Sequence, residues 1–94
     1  MLNRRPQELD RLIGRNIRTY RIRAEMSQSA LADAIGVTFQ QIQKYENGAN
    51  RIAASRLYKV SRTLGVAVEL FFDADGHSAH ESHVAEALDG STGD

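Results

Sequence analysis

Residues 28–47 read QSALADAIGVTFQQIQKYEN, and this stretch decides the fold. It holds two short apolar-periodic runs, Leu31-Ala32-Ile35 and Ile42-Tyr45, separated by Gly36. Ser27 precedes the first run and can cap it, because its hydroxyl accepts from a free first-turn N–H. Gly36 stops that helix, since glycine tolerates the left-handed conformation of a helix C-terminus. Thr38 starts the next helix. Leu31, Ile35, Val37, Ile42 and Tyr45 take the inward positions, and Ala32 is small where two helices must cross closely. The outward residues of the second helix are Thr38, Phe39, Gln40, Gln41, Gln43 and Lys44, nearly all of them hydrogen-bonding side chains.

The flanking sequence supplies the rest of a small body. At about 100° per residue, Leu9, Ile13, Ile17, Tyr20 and Ala24 share one stripe, which predicts a helix over 9–25. Arg11, Arg15 and Arg18 lie opposite that stripe, Arg21 lies at its edge, and Ile22 points outward with the arginines. Asn47-Gly48 ends the helix begun by Thr38 and opens a loop over 47–53. A further helix runs from about Ala54 to Leu64, with Leu57, Val60 and Leu64 inward, and Gly65 closes it. Val66, Val68, Leu70, Phe71 and Phe72 follow as an apolar segment, read as a helical turn or short helix because nothing else would pair with a strand. Beyond Asp73 the chain has few large apolar residues and is expected to stay disordered.

The chain has 94 residues, enough for one small domain with little room for a deep substrate pocket. It has no cysteine, which excludes disulfides, thiolate metal sites and a cysteine nucleophile. No apolar stretch approaches the length of a bilayer span, and no apolar run follows the arginines of MLNRRPQELD. A cytoplasmic protein without membrane contact is expected. The formal net charge of zero hides a division. All 12 basic residues lie in 1–66 with only five acids, whereas 67–94 holds seven acids and no base. Such a split suits a polyanion-binding body with an acidic tail, and equally an ordinary solvated surface.

With SQ at 27–28, LA at 31–32, Gly36, YENG at 45–48 and LGV at 64–66, the chain resembles the Cro/repressor-type (XRE, lambda-repressor-like) helix-turn-helix family over roughly residues 9–72. The resemblance implies an all-α fold, a compact bundle of five helices whose second and third form the DNA-reading unit. The domain plan is then an N-terminal arm over 1–8, the helix-turn-helix DNA-binding domain over 9–72 and an acidic flexible tail over 73–94. Thr38, Phe39, Gln40 and Lys44 match the base-reading positions, with Gln41 and Gln43 nearer the groove wall. Amides can bond an adenine edge, lysine can reach guanine acceptors, and Thr or Phe can touch a thymine methyl. For Phe39, packing back onto the protein stays open beside that contact. Gln28, Asn47 and Arg51 match phosphate contacts, and Ser27 either caps, contacts phosphate, or does both. Arg21 and Glu46 match a structural salt bridge from the first helix to the end of the third. Two positions depart from the family: Ala53 replaces a capping Ser or Thr, and Ala49 replaces a basic residue after ENG.

The resemblance implies a sequence-specific regulator of double-stranded DNA, acting as a dimeric repressor on a near-palindromic operator. The apolar remainder at Val68, Phe71 and Phe72 is the expected dimer surface, because so small a body has difficulty covering two adjacent Phe. Two other readings stay open. One is an antitoxin-type regulator of the same fold that also binds a partner protein. The other is a protein-interaction or membrane-surface module using the basic outer face of the first helix. No cofactor and no enzymatic activity are expected, since all three histidines fall in the tail. His77, His80 and His83 lack a closed ligand set, so no metal is expected there.

Overall fold

The computed structural model describes residues 6–74. The elements in chain order are α1 (Pro6–Arg23), α2 (Gln28–Ile35), α3 (Phe39–Glu46), α4 (Ala54–Leu64) and a 3-10 helix, Val68–Phe72. Among the described residues there is no strand, and no helix is long and apolar enough to cross a membrane. The first five residues of the expected arm, and all but Asp73 and Ala74 of the expected tail with its three histidines, lie outside the described residues.

The fifth α-helix of the expected bundle is replaced by the 3-10 helix. Gly65 turns left-handed at φ 72°, breaking the chain direction, and only seven residues follow before Asp73, five of them in the 3-10 helix. A segment that short closes few α-helical bonds, and 3-10 bonding closes its rings one residue earlier. Leu70 and Phe71 both become buried, Phe71 completely. The first helix also differs at both ends. It starts at Pro6, where a proline's missing N–H is no loss, and stops at Arg23. Glu25 takes a left-handed φ of 58°, and the Met26 N–H closes on the Arg21 carbonyl at 3.1 Å. Ala24, expected on the inward stripe, is therefore exposed.

The core joins all five elements: Ile13, Ile17 and Tyr20 meet Leu31, Ile35, Ile42, Tyr45, Leu57, Val60 and Phe71. Tyr20 meets Phe71 edge-on at 6.0 Å. Its buried hydroxyl has no hydrogen-bond partner, and burial pushes its pKa above the ordinary value, with Arg23 opposing and Asp73 adding to the rise. Two buried residues of α1, Leu12 and Asn16, lie outside the stripe read from the sequence. Asn16 donates from Nδ2 to the carbonyls of Phe71 at 2.8 Å and Asp73 at 3.1 Å, tying the C-terminal segment to α1.

Gly14 sets how closely α1 lies against α3. A Cβ there would stand 2.0 Å from the Tyr45 carbonyl oxygen and 2.8 Å from that of Glu46. The obstacle is backbone, which cannot step aside as a flexible side chain can. Gly14→Ala gains helix propensity of about 1 kcal/mol, but it must force the two helices apart. We expect a net loss of about 1–3 kcal/mol in stability, read as a fall of at least roughly 4 °C in thermal midpoint. An unchanged midpoint contradicts this packing.

Candidate nucleic-acid interface

The α2–turn–α3 unit is built by local bonds that the sequence dictates. The Ser27 hydroxyl accepts from the Ala30 N–H at 3.0 Å and caps α2. Gly36 ends that helix at φ 79°, and the N–H groups of Gly36 and Val37 both donate to the Ala32 carbonyl. The Thr38 hydroxyl accepts from the Gln41 N–H at 3.0 Å and caps α3. Ile42 and Tyr45 anchor α3 in the core. At the far end Asn47 Oδ1 accepts from the Ala49 N–H, Gly48 turns at φ 79°, and the Ala49 and Asn50 N–H groups donate to the Lys44 carbonyl. By contrast, Ala53 gives α4 no side-chain cap.

A buried ion pair fixes the tilt of α3. Arg21 Nε donates to Glu46 Oε2 at 2.6 Å and Nη2 donates to Oε1 at 3.1 Å. The side chains are only 10% and 4% exposed. Gln28 Nε2 adds a third donor to Glu46 Oε1 at 2.9 Å, and Arg21 Nη1 donates to the Met26 carbonyl. One carboxylate thus receives donors from α1 and α2 while standing on α3. Gln28, expected to meet phosphate, is also a strut of this network.

Helical spacing orders the exposed face of α3. Gln40 and Lys44 form its crest, both exposed. Gln41 descends on one side and is half-buried, lining a concavity with Thr38, Gln40, Lys44 and Asn50. Gln43 and Asn47 descend on the other side, lining a second concavity with Arg18, Gln28 and Glu46. Phe39 is 40% exposed on that second side, between crest and core. Arg51 sits apart from both, donating to Asp10 at 3.3 Å with a side chain 70% exposed. Arg18 and Asn50 join these concavities although the sequence reading gave neither a DNA-contact role. Only the spacing of Arg18 from Arg21, one turn along α1, could have signalled the first.

The expected dimer surface is corrected in part. Phe71 is wholly enclosed by its own chain, because the 3-10 helix turns it onto Tyr20, so it cannot meet a partner. Phe72 is 46% exposed and borders an apolar depression with Leu9, Ile13, Ile52 and Leu57.

Known proteins share this arrangement. A helix-turn-helix family model matches residues 17–71. An uncharacterized HTH-type transcriptional regulator of Sinorhizobium medicae is 49% identical over 74 residues, covering 78% of this chain and 53% of that protein. An uncharacterized transcriptional regulator in the ATPase CF(0) region of Rhodospirillum rubrum is 48% identical over 64 residues, covering 68% and 59%. The chain spans about half the length of the curated relatives it matches. The hypothetical transcription factor NHTF from Neisseria has the same fold, with a TM-score of 0.70 at 24% identity over 85% of this chain and 92% of that one. The clp gene regulator ClgR from Corynebacterium glutamicum gives a TM-score of 0.67 at 24% identity, over 73% and 91%.

Removing one member of the buried pair strands the other. Glu46→Ala should cost about 3–5 kcal/mol in denaturant unfolding. The double change Arg21→Met with Glu46→Leu should cost less than Glu46→Ala alone, because no buried charge is left uncompensated. A double variant less stable than the single one contradicts the assignment.

Proposed function

The chain belongs to the XRE-type helix-turn-helix family, and from that membership we propose that it is a sequence-specific regulator that binds double-stranded DNA through α3. The observation that carries the reading is the crest of α3. Gln40 and Lys44 are exposed side chains on a helix whose other face is locked into the core, with both ends capped and its tilt fixed. A helix about 12 Å long with such a crest can lie in a major groove about 12 Å wide. There Gln40 bonds an adenine edge and Lys44 reaches guanine acceptors. Thr38 and Gln41 approach bases from one side, and Phe39 touches a thymine methyl from the other. Ser27, Gln28, Asn47 and Arg51 position the protein on phosphates. Arg51 retains two guanidinium nitrogens beyond the one given to Asp10.

A module this small reads only a few base pairs, so useful specificity calls for symmetry. In this reading two copies act on a near-palindromic operator, as a repressor in the cytoplasm, with half-sites about 10–10.5 bp apart. Phe72 and the apolar depression it borders, with the half-buried Val68 of the same 3-10 helix, form the surface we assign to the contact between copies. The names of the relatives support regulation of transcription in general terms.

Two measurements follow. On a preferred duplex, Gln40→Ala and Lys44→Ala should each weaken binding by about 1–3 kcal/mol, and affinity should fall steeply with salt. Binding indifferent to both changes contradicts base reading by α3. In sedimentation, Phe72→Glu should shift the chain toward monomer while leaving the helical signal intact. A dimer unaffected by that change places the contact elsewhere.

A further inference from the structure

Arg18 is a cation at the margin of the interface that the fold does not use. Arg21, one turn along the same helix, is consumed by Glu46 and by the Met26 carbonyl. Arg18 is exposed and, among the described residues, its side chain makes no hydrogen bond or ion pair. It faces the concavity formed with Gln28, Gln43, Glu46 and Asn47. Glu46 does not repel an anion there as a bare carboxylate would. Both its oxygens already accept from Arg21 or Gln28, and the Arg21 charge offsets its own. What the concavity offers an incoming group is therefore donors: the five N–H groups of Arg18 and the amides of Gln43 and Asn47.

The position of this seat identifies its ligand. It lies on one flank of α3, and the concavity of Thr38, Gln41 and Asn50 lies on the other. A helix is about 10–12 Å across with side chains and so fills a major groove. Groups on its two flanks then stand against the two phosphate backbones that wall the groove. We propose that Arg18, with Gln43 and Asn47, grips a phosphodiester of the strand on that flank. This inference rests on the reading of α3 as the groove-filling helix. It gives Arg18 a specific contact, whereas the sequence placed it only on the basic outer face of the first helix.

The test is titration of the full chain, by fluorescence anisotropy, against a preferred duplex and a random duplex over a series of salt concentrations. Arg18→Gln should weaken binding to both duplexes by a similar factor, about five- to tenfold near 0.1 M salt, and lower the log–log salt slope by about 0.9. Arg62→Gln removes the same charge from α4, where the guanidinium lies over Tyr58 at 5.8 Å. It should leave the slope unchanged. Equal slopes for the two variants overturn the proposal, as does a loss by Arg18→Gln confined to the preferred duplex. Inorganic phosphate at constant ionic strength should not displace either duplex. If it binds the wild-type chain tightly and Arg18→Gln abolishes that binding, the seat serves a free anion and the duplex assignment fails. A wild-type chain without sequence preference, whose slope still falls in Arg18→Gln, defeats base reading by α3 and leaves the phosphate seat standing.

Discussion

Three helices meet on one carboxylate. Glu46 stands at the end of α3, and its two oxygens take donors from Arg21 of α1 and Gln28 of α2. An eight-residue helix has little reason to persist alone in water. α3 holds because Ile42 and Tyr45 sink into the core and because this carboxylate accepts only one arrangement of its neighbours. A buried ion pair is weak evidence of net stability, since desolvation offsets much of the attraction. Its value here lies in geometry: any other tilt of α3 leaves a buried charge unsatisfied. Gly14 makes the same demand from the apolar side, because α1 touches the carbonyls of Tyr45 and Glu46 with no side chain between.

That constraint explains how the exposed face is arranged. Glu46 is spent internally, so the acid nearest the crest of α3 contributes no free negative charge. Gln40, Gln43, Lys44 and Asn47 are left to solvent, with Arg18 behind them. The face is rich in neutral hydrogen-bonding groups and carries cations at its crest and margin. Amides can choose between bases, whereas cations mainly hold a polyanion near. The two tasks fall to different residues on one rigid support.

Much of this was legible in the sequence because local bonds dictate it. Ser27, Gly36, Thr38 and Gly65 end or begin helices where their chemistry requires. The pairing of Arg21 with Glu46 followed from family resemblance, and the two side chains meet in a bidentate contact. What stayed hidden depends on partners distant in sequence. Leu12 and Asn16 are buried because α1 packs against α3, α4 and the 3-10 helix, so its inward surface is wider than one stripe. Asn16 is polar and looks solvent-facing until the carbonyls of Phe71 and Asp73 arrive. Gly14 gives no local signal, since its role is the absence of a side chain. Phe71 and Phe72 looked equivalent as neighbours, and only the turn of the 3-10 helix separates a core residue from an exposed one. Gln28 was legible as polar and helix-opening, but its bond to Glu46 joins residues 18 positions apart.

The most direct measurement of the account is selection of bound duplexes from a random pool. A groove-filling α3 presented twice by a symmetric pair predicts an enriched motif with two-fold symmetry. Its half-site centres should lie about one helical turn, roughly 10–10.5 bp, apart. A pool recovered without enrichment, or a motif unchanged when Gln40 and Lys44 are replaced, contradicts it.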